Sequence, residues 1–424
     1  MKIILYPEEV KGVVTVPPSK SITHRALFCS ALSKGTSKVR SPLISDDTLA
    51  TRRVLEKLGK SFHQYPDRWE IDGCGIVRPS TDLFCGESAT TLRFTTAACA
   101  LAKGASRLTG GPSLSRRPVE PLLEGLKQLD VDCKSLEGFP PVTVNGKGRI
   151  EGGEVSVRGD VSSQFVSALL LIAPLAEGET TIRLTTELES KPYVNMTIDI
   201  QREFGVDVTA SDDMRVYRVE RQQYQPTNLE VEGDWSSASY MLAAGALAGD
   251  ISLKNLNPKS RQADVAVMNI LEDMGANITL GAKEIRVQRS ELKAIEADLS
   301  DCPDLFPVVA SLCAAAEGRS VLKGLRRLRF KESDRAAAMA DGLGRMGIRA
   351  SPRGDELVIE GRRPSGGTVN PYKDHRIAMA LAVLSLAAED ETTILDADCV
   401  SKSYPGFWRE LESIGVRMRR VLDE

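Results

Sequence analysis

Lys20, Ser21 and Arg25 crowd the opening of an apolar helix in PPSKSITHRALFCSAL, residues 17 to 32. Ser21 and Arg25 stand four apart, so they share a helix face. The positive end of the helix dipole disfavours cations at that place. A bound anion removes the conflict, because free N–H groups at a helix start bind anions. The simpler alternative is a Ser cap followed by solvated bases.

Other stretches of the chain repeat the theme. CGESATTLR offers Ser88, Thr90 and Arg93, and GDVSSQF offers Ser162, Ser163 and Gln164. DCPDLF brings Asp304, and YKDHRIA brings Asp374, His375 and Arg376. In LRFKESDRAAAMA, Lys331 and Arg335 are read as four apart on one helix, where like charges repel, with Glu332 three before Arg335. SRRPVEPLL puts Arg116 and Arg117 before Pro118, read as a helix-start proline, and VSKSYPGFW sets Lys402 between two serines. Together these are cations from distant parts of the chain, with two carboxylates, Asp304 and Glu332, among them.

The elements that must position them form a repeat. Six segments begin with small or polar residues, continue as an Ala/Leu-rich helix and end in a turn and a strand. They start at residues 21, 88, 162, 236, 303 and 374. A second helix follows in each, and five of these end on a glycine: Gly59, Gly205, Gly275, Gly347 and Gly415. Asp130 takes that place in the second segment. A residue just past a helix end adopts φ > 0, which favours glycine. DELVIEG and PVTVNG read as strands. First helices that are apolar nearly all round must be buried. Six mixed α/β modules of roughly 70 residues make two domains of three, or else a six-unit solenoid with an unusually long repeat. If the modules pack alike, the polar helix starts line a cationic interdomain cleft suited to a polyanion.

Bulk composition narrows the class. The chain has 424 residues, enough for two or three domains, and a formal net charge of −3, which argues against nucleic acid as a partner. Eight cysteines without a CxxC pair, several in apolar runs, read as reduced thiols of a cytoplasmic protein. Three histidines without HxxxH spacing give no expectation of a metal site. MKIILYPEEVKG is no signal peptide, and no apolar window is long enough for a membrane span.

PPSKSITHRAL, CGESATTLR, SRRPVEPL, GDVSSQF, ESKPYV, KESDR, DHRIAMA and SKSYPGFW, in this order from residue 17 to 408, resemble the 5-enolpyruvylshikimate-3-phosphate synthase family. The resemblance implies an α/β fold, a two-domain inside-out α/β barrel with three βαβαββ repeats in each domain. It implies a discontinuous domain of residues 1–16 and 231–424, an inserted domain of 17–230, and an active site in the cleft between them. The reaction implied is transfer of the enolpyruvyl group of phosphoenolpyruvate to the 5-hydroxyl of shikimate 3-phosphate, with release of phosphate and no cofactor. Shikimate 3-phosphate would meet Ser21, Arg25, Ser162, Ser163, Ser190, Tyr193, Asp304 and Lys331, with Thr90 nearby. Phosphoenolpyruvate would meet Lys20, Arg117, Gln164, Arg335, Arg376 and Lys402. Asp304 would take the hydroxyl proton and Glu332 would protonate the vinyl carbon, with Lys20 able to serve either step. Lys402 or His375 would protonate the leaving phosphate. A monomer acting on small anionic substrates is expected.

Two positions depart from the family pattern. The stretch before KESDR reads RRLRF, placing Arg327 where an asparagine is common. Ala89 stands where many members have glycine, and the family is the target of glyphosate. The same-fold rival is UDP-N-acetylglucosamine enolpyruvyltransferase. RNA 3′-phosphate cyclase shares a repeated α/β architecture but calls for nucleotide chemistry. A non-catalytic anion binder would have no use for carboxylates inside a cationic site.

Overall fold

The computed structural model describes residues 1–281 and 284–422. The chain forms two compact units, Pro18–Glu232 and Met1–Pro17 with Gly233–Glu424. Each has its own apolar core.

In the inserted unit the helices are α1 (Lys20–Leu32), α2 (Asp46–Lys57), α3 (Ala89–Ala98), α4 (Glu120–Gln128), α5 (Ser163–Ile172) and α6 (Lys191–Glu203). In the discontinuous unit they are α7 (Trp235–Ala248), α8 (Val267–Asp273), α9 (Phe306–Ala315), α10 (Arg335–Arg345), α11 (His375–Ser385) and α12 (Phe407–Ser413). The odd-numbered helices are the apolar ones. Every residue of α7 and of α11 is buried. The even-numbered helices are two-faced: α4 buries Leu122, Leu123, Gly125 and Leu126 and turns Glu124 and Lys127 outward.

Among the described residues each unit has three four-stranded sheets with one strand order. In five of the six repeats the strand after the odd helix pairs in parallel with one edge strand and antiparallel with the last strand of its repeat; in the sixth the N-terminal strand Lys2–Leu5 takes that last place. Thus Lys103–Thr109 lies between Leu83–Phe84 and Phe139–Lys147, with Asp132–Leu136 at the far edge. The N-terminus is shared between two repeats. Lys2–Leu5 enters the sheet of the sixth repeat, between Thr392–Ile394 and Met418–Val421. Val10–Thr15 is the parallel edge strand of the fourth, along Gly249–Lys254. Asn228–Glu230 returns to open the first repeat beside Gly35–Arg40.

The helix stops behave as the spacing implies. Gly59, Gly205, Gly275, Gly347 and Gly415 all have positive φ, and Asp130 reaches φ 60° in the same position. Several starts shift. Ser19, not Ser21, caps α1, and Lys20 is its first residue. Helix α10 begins at Arg335, so Lys331 lies before it and shares no helix face with Arg335. Helix α4 begins at Glu120, with Pro121 rather than Pro118 in its first turn. Seven of the eight cysteines are buried and Cys74 is exposed. Among the described residues no helix is long and apolar enough to cross a membrane.

Candidate functional site

In the inserted unit the polar side chains join the three odd helices at their starts. The Nζ of Lys20 lies 3.0 Å from Oδ2 of Asp47, in the first turn of α2. His24 meets Thr51 at 2.8 Å, and Thr51 meets Thr91 of α3 at 2.7 Å. Burial, then the Lys20 and Arg25 charges, hold the His24 imidazole well below its usual pKa and so neutral.

Arg25 is 2% exposed. Its guanidinium donates to Thr197 Oγ1 at 2.8 Å and to the carbonyls of Ser21 and Tyr193, each at 2.9 Å. Burial brings it down to about 10. A guanidinium desolvated among neutral acceptors gains strongly from an anion. Ser21 serves here through its carbonyl, and Tyr193 does likewise from α6. Ser190, which precedes α6, has φ 55°. A left-handed serine costs on the order of 1–3 kcal/mol and persists where its surroundings fix it.

Arg93 forms the next link. It donates to Ser162 Oγ at 3.0 Å, Gln164 Oε1 at 2.9 Å and the Pro118 carbonyl at 3.0 Å, and it lies 4.7 Å over the Phe165 ring. Gln164 passes the chain on to Thr90 Oγ1 at 2.9 Å. Ser162 caps α5, and buried Ser163 is that helix's first residue. Glu87 fixes the segment that carries Arg117: its Oε2 accepts from Leu114 N–H at 2.8 Å. Arg117 itself is buried.

In the discontinuous unit, Arg335 is the hub. It is 1% exposed and holds three carboxylates: Asp304 at 2.7 Å, Glu332 at 2.9 Å and Asp374 at 2.9 Å. Asp304 lies just before α9 and does not cap it. Its other oxygen accepts from Arg376 at 3.0 Å, and Lys331 Nζ is 3.6 Å away. Burial alone would raise the Asp304 pKa, but the Arg376, Lys331 and Arg335 charges outweigh it and hold the carboxyl well below the carboxylate range. Burial also brings the Lys331 ammonium down to about 8; Arg335 and Arg327 reinforce the shift, and Asp304 opposes it. Arg327 is buried and donates to the Ser300 carbonyl at 2.6 Å.

Asp374 caps α11, and Arg376 also donates to Ser236 of α7. Tyr372 and Lys373, with φ 54° and 59°, shape the turn into this cap, and Lys402 donates to the Lys373 carbonyl at 3.1 Å. The His375 ring is fully buried beside the cap, with Nδ1 3.9 Å from Asp374 Oδ1.

Three residues without an assigned site role organise these networks: Arg93, Asp374 and Asp47. Arg93 and Asp374 lie within stretches already singled out, CGESATTLR and YKDHRIA. Asp47 sits in SDDTLA, outside those stretches, in the first turn of α2.

The sequence pattern of the EPSP synthase (3-phosphoshikimate 1-carboxyvinyltransferase) family matches residues 5–411. The chain belongs to this family. It is 41% identical to the 3-phosphoshikimate 1-carboxyvinyltransferase of Methanocorpusculum labreanum, covering 99% of this chain and 100% of that one. It is 42% identical to the enzyme of that name from Dehalococcoides mccartyi, covering 98% of each. Its structure matches the solved EPSP synthase from Acinetobacter baumannii with a TM-score of 0.82 at 29% identity, over 99% of this chain and 100% of the other.

Proposed function

We propose that this chain transfers the enolpyruvyl group of phosphoenolpyruvate to the 5-hydroxyl of shikimate 3-phosphate, giving 5-enolpyruvylshikimate 3-phosphate and phosphate. The observation that carries the reading is Asp304, a carboxylate shared among Arg335, Arg376 and Lys331. A pure anion binder gains nothing from a negative charge there. An enzyme that must accept a proton once its anions are bound does.

Each unit holds part of the expected ligand set. Shikimate 3-phosphate takes Ser21, Arg25, Ser162, Ser163, Ser190, Tyr193, Asp304 and Lys331, and Thr90 is a further substrate-binding residue. Phosphoenolpyruvate takes Lys20, Arg117, Gln164, Arg335, Arg376 and Lys402. As phosphate and carboxylate groups engage the cations, Asp304 loses its partners and its basicity rises. It then accepts the 5-hydroxyl proton as that oxygen attacks C2 of phosphoenolpyruvate. Glu332 protonates C3, with Lys20 able to serve either transfer. The tetrahedral adduct loses phosphate and a C3 proton, restoring the double bond. Lys402 or His375 protonates the leaving phosphate. The arginines stabilise the charge that develops.

The finer architecture proposed for each unit is an inside-out α/β barrel, supported by odd helices buried on every side and by three sheets of one strand order. The working form is read as a cytoplasmic monomer that binds neither nucleic acid nor membrane. The test is phosphate release from phosphoenolpyruvate. Release that depends on shikimate 3-phosphate, and does not occur with UDP-N-acetylglucosamine, is expected. Release with the nucleotide sugar instead would transfer the chain to the rival reaction.

A further inference from the structure

Helices α1 and α2 meet in two rungs, each joining residues 27 apart in the chain. The upper rung is the Lys20–Asp47 ion pair at 3.0 Å. The lower rung lies one turn further along both helices, where His24 Nδ1 meets Thr51 Oγ1 at 2.8 Å. From there the bonds continue into α3. Thr51 Oγ1 meets Thr91 Oγ1 at 2.7 Å, and the Thr91 hydroxyl donates to Ser88 Oγ at 2.8 Å and to the Asp47 carbonyl at 3.3 Å. Ser88 in turn caps α3. The bonds therefore run from α1 through α2 to the α3 cap and back to the residue that holds Lys20. His24, Thr51 and Thr91 are all buried.

Proton counting gives this chain a direction. Each hydroxyl has one proton to donate. Thr91 directs its own at Ser88 and the Asp47 carbonyl, so Thr51 must donate to Thr91. Thr51 then offers His24 only lone pairs, and Nδ1 must carry the hydrogen. Nε2 is buried without a hydrogen-bond partner among the described residues, so a second N–H there would be a donor with no acceptor. The proton sits on Nδ1 alone, in keeping with the neutral ring described above.

We propose that His24 is a positioning residue for Lys20: as the Nδ1–H tautomer it donates into the Thr51–Thr91 chain and so fixes α2, with Asp47 on it, beside the Lys20 ammonium. The inference rests on Lys20 being a phosphoenolpyruvate ligand. Lys20 is half-buried, and its long side chain has many rotamers to choose from. The buried rung beneath holds the two helix starts at one spacing and rotation, which limits where Asp47 can hold the amine. The other face of α1 is held separately, since Arg25 donates to Thr197 and to the Tyr193 carbonyl of α6. Loss of the lower rung therefore disturbs the Lys20 side of α1 and leaves the Arg25 side in place.

The experiment is steady-state kinetics of Thr51→Val, Thr51→Ser, His24→Gln, His24→Asn and Lys20→Arg against the parent. Thr51→Val keeps the side-chain shape and removes the hydroxyl. Its KM for phosphoenolpyruvate should rise about 3- to 10-fold and its kcat fall by a similar factor, with the KM for shikimate 3-phosphate changed less than about twofold. His24→Gln carries its amide where Nε2 was and should behave alike. His24→Asn keeps an N–H in the place of Nδ1, and Thr51→Ser keeps the hydroxyl, so both should stay within about twofold of the parent. A merely structural role predicts that both KM values rise together, or that His24→Asn loses as much as His24→Gln; either result overturns the proposal. In the Lys20→Arg background Thr51→Val should add less than about twofold, since both changes act on one group, and an undiminished loss there overturns it too. Lys20→Arg alone separates the two layers. If it leaves kcat/KM for phosphoenolpyruvate unchanged, the Lys20 assignment fails and takes the His24 role with it. If it lowers that ratio while Thr51→Val does not, only the His24 role fails. Should the variants not fold, nitrogen-15 NMR of the three imidazoles in the parent decides: His24 should show a protonated Nδ1 and a bare Nε2, and a proton on Nε2 overturns the proposal.

Discussion

In an isolated ion pair each partner strengthens the charge of the other, yet Lys331 sits at about 8 while Asp304 is held well below the carboxylate range. Desolvation and the neighbouring Arg335 and Arg327 charges cost Lys331 more than Asp304 returns, so the cluster carries a surplus of positive charge that an anion would offset. Lys331 is expected to lose its proton in the free enzyme near pH 8. With Lys331 as a shikimate 3-phosphate ligand, kcat/KM for that substrate should fall as pH rises through about 8. Lys331→Arg should move this limb to higher pH, and an identical limb in both proteins would count against the assignment. The stability sign is the opposite. The folded value lies below the ordinary 10.5, so the unfolded chain binds more protons between about 8 and 10.5, and this group's contribution to stability grows across that window. Ala89 offers a separate test. It is the first residue of α3 and is 4% exposed, so its methyl group belongs to the packed wall at that helix start. Glyphosate is longer than phosphoenolpyruvate and should feel that wall more, since overpacking costs about 1–3 kcal/mol. Ala89→Gly should therefore gain glyphosate sensitivity with little change in the KM for phosphoenolpyruvate. Equal inhibition of both proteins would clear the methyl of any part.

Helix punctuation accounts for much of what could be read from sequence alone. The odd helices were legible because they are apolar all round, and the even ones because a glycine or Asp130 closes them. Asp130 reaches φ 60°, which glycine adopts without strain, and its exposed ion pair with Lys147 contributes little. Asp130→Gly is accordingly expected to raise the unfolding free energy by about 0.5–1 kcal/mol in urea titrations. A loss of that size would mean that the ion pair outweighs the backbone. The starts were less legible. KESDR looks like one helical run, but Asp334 caps α10 and leaves Lys331 outside it, free of the helical spacing argument. That Asp304 joins three cations is not legible in the sequence, because they lie between 27 and 72 positions later in the chain.

The whole chain closes its repeats through pairings that no local pattern records. Lys2–Leu5 and Val10–Thr15 serve the sixth and fourth repeats, and Asn228–Glu230 serves the first, so the inserted unit interrupts a strand series that begins at the N-terminus. Strand register is set by partners hundreds of residues away, whereas helix caps are set by neighbours. A net charge of −3 likewise conceals the cations gathered at the helix starts, some of them paired there with partly or fully buried acids such as Asp47, Asp304, Glu332 and Asp374. The chemistry attributed to these groups is an addition followed by an elimination, and it leaves an isotopic mark. Turnover of phosphoenolpyruvate and shikimate 3-phosphate in deuterium oxide, followed by NMR of the product, reads that mark. Protonation at C3 before phosphate departs should place deuterium in the vinyl methylene of the product. Product formed with no deuterium at that carbon would mean that C3 is never protonated, and the role given to Glu332 would fall with it.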